Sequence, residues 1–186
     1  RRLPCRGLAA GRIVIPANPR HGSLRPVGIG EGLSVKVNVN LGRSPTTSCL
    51  TEEVSKVEAA VRYGADAVMD LSTGPDIDAV REAVIGACTV PMGTVPVYQA
   101  AEEVDAFEDL PEDRFLWVLE HQARQGVDFM TIHAGILRAH LGLVDRRVTG
   151  ISNFVPVSIT KPSNPPEFVC ISNEFTCNVT SASFWS

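Results

Sequence analysis

From about residue 33 to residue 135, two hydrophobic patterns alternate along the chain. A short apolar, β-prone run is followed by a stretch in which apolar residues recur every three or four positions. The short runs are VKVNV (35–39), DAVMDL (66–71), PMGTVPV (91–97) and DFMTIHA (128–134). They lack the strict apolar/polar alternation of a half-solvated strand, as parallel strands covered on both faces should. Each run is predicted to be a strand.

The intervening stretches read as amphipathic helices. TEEVSKVEAAVRYG places Val54, Val57, Ala60 and Val61 on one face, with Thr51 as predicted N-cap, Glu52 and Glu53 in the positive first turn, and Gly64 at the end. DIDAVREAVIGA turns Ile77, Val80, Ala83, Val84 and Ala87 inward. PEDRFLWVLEHQARQG sets Phe115, Val118, Leu119 and Gln122 in register, with Pro111 in the first turn and Gly126 as terminator.

Parallel strands joined by helical crossovers build either an open doubly wound sheet or a closed (β/α)8 barrel. Asn38 and Asn40, Asp70 with Ser72 and Thr73, Tyr98 with Gln99, and His133 fall at the carboxyl ends of successive runs. A polar group on every strand end is the habit of a barrel rim, whereas an open sheet gathers its site at one switch point. The predicted fold is therefore α/β, a partial (β/α)8 barrel of about four parallel βα units. Its divisions are an entry segment (1–32), the barrel portion (33–151) and an irregular tail (152–186).

That tail, rich in Ser, Thr, Asn and Pro, has no helical period. Its Asn178-Val179-Thr180 sequon would matter only in a secreted protein. Over all 186 residues the formal charge is -4 and Lys and Arg are scattered, which argues against nucleic acid as a partner. No run approaches the roughly 18–20 apolar residues that span a bilayer, and no signal peptide is evident. Cys5, Cys49, Cys88, Cys170 and Cys177 are odd in number and form no CxxC, so neither a disulfide framework nor a zinc ribbon is signalled. The expected setting is a reducing cytoplasm. A first residue other than Met leads us to expect residues upstream of Arg1.

The strings GRIVIPAN (11–18), GIGEGLSVKVNVNLGRS (28–44), GADAVMDLSTG (64–74), PMGTVPVYQA (91–100), GVDFMTIHAG (126–135) and RVTGI (147–151) resemble, in order and spacing, the signature blocks of phosphomethylpyrimidine synthase. The resemblance implies a radical enzyme of thiamine biosynthesis. Such an enzyme converts 5-aminoimidazole ribotide into 4-amino-5-hydroxymethyl-2-methylpyrimidine phosphate with S-adenosylmethionine and a [4Fe-4S] cluster, also holds zinc, and forms a homodimer. It further implies that Asn40, Met69, Tyr98 and His133 line the substrate pocket. An amide, a phenol and an imidazole suit a flat polar ring bearing an amine, hydroxyls and phosphate, and a thioether supplies a soft wall.

The pattern also breaks. The family's GLRTKVNANIGTS stands here as GLSVKVNVNLGRS, so Ser34, Val35, Val39 and Arg43 change the first loop. After RVTGI the family's VSRGGS is replaced by a run beginning Ser152-Asn153-Phe154, and no CxxCxxxxC follows. The expectation is that reading leaves the family's frame near Ile151, that the chain lacks cluster and zinc ligands, and that alone it is catalytically inert. Half a barrel would also leave unpaired sheet edges and aggregate readily.

From the residues alone, an Asn at the position of Asn40 more often caps the following loop than binds a ligand and Met69 is core by default, while Tyr98 and His133 divide evenly between structure and site. Asp70 is read as the cap of the Ser72-Thr73-Gly74 turn rather than a general acid. Glycines 28, 30 and 32 precede a strand, so they signal flexibility or close backbone approach, not a dinucleotide loop. His21, His121 and His140 are read as solvated. The rival readings are a non-catalytic module for a phosphorylated small molecule and another barrel lyase.

Overall fold

The computed structural model describes residues 2–44, 49–74, 76–104 and 109–132. The chain enters through helix α1 (Arg2–Ala9) and a two-stranded antiparallel ribbon, β1 (Ile13–Val14) with β2 (Ile29–Gly30). Gly30 sits at φ 143°, and a Cβ there would lie 2.1 Å from the Arg12 carbonyl oxygen. Close backbone approach is thus the reason for this glycine, as the sequence indicates. Gly30→Ala should destabilise the folded chain by more than about 1 kcal/mol, read as a lower urea midpoint.

Four strands follow, β3 (Asn38–Leu41), β4 (Ala67–Asp70), β5 (Met92–Thr94) and β6 (Phe129–Met130), all parallel and ordered β3-β4-β5-β6. Each strand pairs with the next in sequence, and the order does not reverse among the described strands. Crossovers are made by α2 (Leu50–Arg62), α3 (Ile77–Ala87), the short α4 (Pro96–Ala101) and α5 (Glu112–Gln125). The βα alternation read from the hydrophobic pattern is therefore present. Among the described residues no helix is long and apolar enough to cross a membrane. The segment 152–186 lies outside them.

One apolar core joins strands to helices. Leu41, Val68, Met92 and Met130 from the strands pack with Val57 and Ala60 of α2 and Val80, Val84 and Ile85 of α3, with Leu119 and Ala123 of α5 against them. Several boundaries differ from the sequence expectation. The third run does not stay extended to residue 97: β5 stops at Thr94, and Pro96 opens α4 as its first residue. Proline's fixed φ and missing N–H suit that position. Helix α2 starts one residue before Thr51, with Cys49 at the N-cap and its N–H donating to Glu52 Oε2 at 3.0 Å. Pro111 is itself the N-cap of α5, and Gly126, at φ 113°, ends that helix as predicted.

His21 is not solvated. Its ring is fully buried, with Nδ1 2.6 Å from Asp128 Oδ2 and Nε2 3.0 Å from the Cys88 carbonyl oxygen. Both ring nitrogens face acceptors, an arrangement that favours the doubly protonated ring beside the carboxylate. Asp128 also accepts from the backbone N–H of Asn18 at 2.7 Å and of Met92 at 2.8 Å. The Asn18 side chain donates to the carbonyls of Ala123 and Val127. The entry segment is thereby clasped to the start of β5 and the end of α5.

This clasp sets a pH dependence. Burial pulls the His21 pKa down, but the Asp128 carboxylate and the Cys88 and Ile85 carbonyls outweigh it and leave the value raised. A raised folded-state value means that its stabilisation is complete below the ordinary histidine range, about 6.5, and is lost as pH climbs through the higher folded value. Urea midpoints should fall as pH rises from about 6.5. His21→Gln should flatten that slope, and an unchanged slope would place the titration elsewhere.

Candidate functional site

Along a strand, side chains alternate between faces, and parallel register carries that alternation across the sheet. Leu41, Val68, Met92 and Met130 point into the helix-packed core. The row between them faces the other way: Asn40 is in register with Met69, Met69 with Gly93, and Gly93 with Phe129. Asn38 shares that face and donates through Nδ2 to Asn40 Oδ1 at 2.8 Å. Asn40 is exposed, and its own amide NH2 makes no hydrogen bond among the described residues.

The structure thus brings together two of the residues singled out in the sequence, Asn40 and Met69, as cross-strand neighbours. Tyr98 does not end a strand. It lies in α4, which begins just beyond the carboxyl end of β5, and it is half-buried. It therefore belongs to the same edge of the sheet, carried by the following helix. His133 and His140 lie outside the described residues. His121, read as solvated, is half-buried: its Nε2 is 3.0 Å from Asp78 Oδ2, and its ring stacks on Trp117.

The row also includes residues the sequence reading passed over. Phe129 is buried, and its ring occupies the space above Gly93, where a Cβ would lie 2.2 Å from the ring's Cε2. Thr131, just past the end of β6, brings its Oγ1 to 3.9 Å from Met69 Sδ of β4, across the bare β5 position. The signal for this was a glycine inside a strand pattern, which marks close approach. The face that results is a thioether and a phenyl ring bordered by amides and a hydroxyl.

The opposite face of the same edge is polar and sealed. Asp70, last in β4, accepts through Oδ1 from the Ser72 backbone N–H at 2.9 Å and from its hydroxyl, and Ser72 Oγ accepts from the Arg43 N–H at 3.0 Å. Asp70 is the turn cap that the sequence suggested. Burial raises its pKa, with the Ser72 hydrogen bonds and the Arg81 charge opposing. Beside it, Arg81 is 1% exposed, with NH1 donating to Asp78 Oδ1 at 2.7 Å and to Gln125 Oε1, and NH2 donating to Gln99 Oε1 at 2.9 Å. Neither Arg81 nor Gln99 reaches the Asn40 face.

Among the described residues, no three His, Cys, Asp or Glu side chains gather to hold a metal ion. Cys88 is buried and donates to the Val90 carbonyl, while Cys5 and Cys49 are exposed on α1 and before α2. These three thiols are not arranged to ligate a cluster together.

The fold is a parallel α/β sheet with an amide and a thioether side by side on one face and a phenol on the helix that follows, at the carboxyl edge where α/β proteins as a class bind their ligands. The family model described as the Radical SAM ThiC family matches residues 3–154. The chain belongs to that family. Its chemistry is radical S-adenosylmethionine chemistry in thiamine precursor synthesis, with S-adenosylmethionine and an iron–sulfur cluster as the family's cofactors.

Proposed function

We propose that this chain supplies the ribotide-binding part of phosphomethylpyrimidine synthase, with the described strands forming the first half of a (β/α)8 barrel. Asn40, Met69, Tyr98 and His133 would line the pocket for 5-aminoimidazole ribotide. The whole reaction, a carbon–carbon lyase step yielding the pyrimidine phosphate, would take place in the cytoplasm in a homodimer that also holds zinc. The observation carrying this reading is the register pair Asn40 and Met69 on the sheet face away from the helix core, with Asn40's NH2 unused. An amide donor beside a soft apolar surface suits the edge and face of a flat aminoimidazole.

The reading is tested by calorimetric titration of the chain with 5-aminoimidazole ribotide. Asn40→Ala should weaken binding about tenfold, the worth of one hydrogen bond to a bound ligand. Equal affinity in the variant would remove Asn40 from the site. This sequence contains no CxxCxxxxC, so this chain alone is proposed to bind without turnover. Anaerobic reconstitution with iron and sulfide should give neither cluster absorbance nor pyrimidine product, and either one would overturn the proposal.

A further inference from the structure

Helix α4 has six residues, too few to hold its own shape in water, so contacts from outside must fix its orientation. Gln99 supplies them. It is 6% exposed, and its Oε1 accepts from Arg81 NH2 at 2.9 Å and from Gln122 Nε2 at 2.9 Å. Its Nε2 donates to Asp78 Oδ1 at 2.9 Å. Gln122 Oε1 in turn accepts from the hydroxyl of Thr94, the last residue of β5, at 2.6 Å. One side-chain amide thus ties α4 to α3, to α5 and to the strand before it.

Successive residues of an α-helix project about 100° apart, so an anchored Gln99 sets the direction in which Tyr98 leaves the helix. We propose that Gln99, with Arg81 behind it, is a positioning residue for the ribotide site: the buried amide holds α4 at the rotation that presents the Tyr98 side chain to the ligand. The proposal rests on the reading of Tyr98 as a ribotide contact.

The test uses the full chain labelled with 3-fluorotyrosine. The sequence has two tyrosines, and Tyr63, 87% exposed at the end of α2, serves as the internal reference for Tyr98. Gln99→Glu keeps the acceptor for Arg81 and Gln122 but turns an acceptor toward Asp78. It should move the Tyr98 fluorine resonance, leave that of Tyr63 in place, and weaken ribotide binding about tenfold.

A lower melting point with the Tyr98 resonance and affinity both unchanged would overturn the proposal, leaving the network purely structural. Tyr98→Ala separates the two readings. If Tyr98→Ala leaves ribotide binding intact, the assignment of Tyr98 to the pocket fails, whatever Gln99 does. If Tyr98→Ala weakens binding while Gln99→Glu does not, the positioning role alone fails.

Discussion

Asp128→Ala is expected to lower the stability of the folded chain by about 3–5 kcal/mol, the range for removing one partner of a buried, hydrogen-bonded ion pair. The carboxylate is fully buried and accepts three hydrogen bonds, from the His21 ring and from the backbone N–H groups of Asn18 and Met92. Truncation leaves His21 Nδ1 and the two backbone N–H groups without their shared partner, and each buried donor so abandoned costs about 1–3 kcal/mol. Asp128→Asn should be nearly as costly, because an amide presents its NH2 to N–H donors on whichever side it is turned. Urea denaturation followed by circular dichroism checks the magnitude. Hydrogen exchange should show the Met92 and Asn18 amides losing protection first. A change below about 1 kcal/mol would mean that the pair contributes little beyond its desolvation cost.

The second large effect is expected at Gly93. A methyl group there would sit 2.2–2.7 Å from three carbons of the Phe129 ring, far inside contact distance. The ring must swing away, so Gly93→Ala should cost on the order of 1–3 kcal/mol. It should also disturb the surface on which Met69 and Thr131 meet, and ribotide affinity should fall with stability. Because the clash involves one partner, the loss should be coupled to it. In a double-mutant cycle, Gly93→Ala with Phe129→Ala should destabilise by less than the sum of the two single changes, with a coupling of about 0.5–3 kcal/mol. Strict additivity would show that the ring moves aside without resistance.

The features legible in the sequence were those with a local cause. Helices α2, α3 and α5 announced themselves by apolar spacing, and Gly126 by its place after the last apolar turn. Asp70 was readable as a cap because its partner, Ser72, is two residues away. The misses have distant causes. His21 sits in a stretch with no periodicity, and its partner is 107 residues further on. Arg81 occupies a helical position that charge alone would assign to solvent, yet Gln99 and Gln125 close over it from later elements. The apolar string GTVPV reads as one strand because nothing in its hydrophobicity marks Thr94 as an end. Pro96 was the available sign.

Of the residues named for the candidate site, Asn40 and Met69 are cross-strand partners. The sequence placed Tyr98 at the right edge on the wrong kind of element. It did not supply Phe129 or Thr131, whose part depends on Gly93 having no side chain, a relation across strands that no single segment contains.

Asn18 meets Asp128 across 110 positions of chain. Consecutive strand order lets each βα unit dock on its predecessor as it leaves the ribosome, but the entry segment's partner has not yet been synthesised at that stage. The entry segment must therefore wait for nearly the whole described fold before it locks, which makes its docking a late step of assembly. A nascent chain stalled before Asp128 emerges should leave that segment open to protease, while one stalled well beyond it should not.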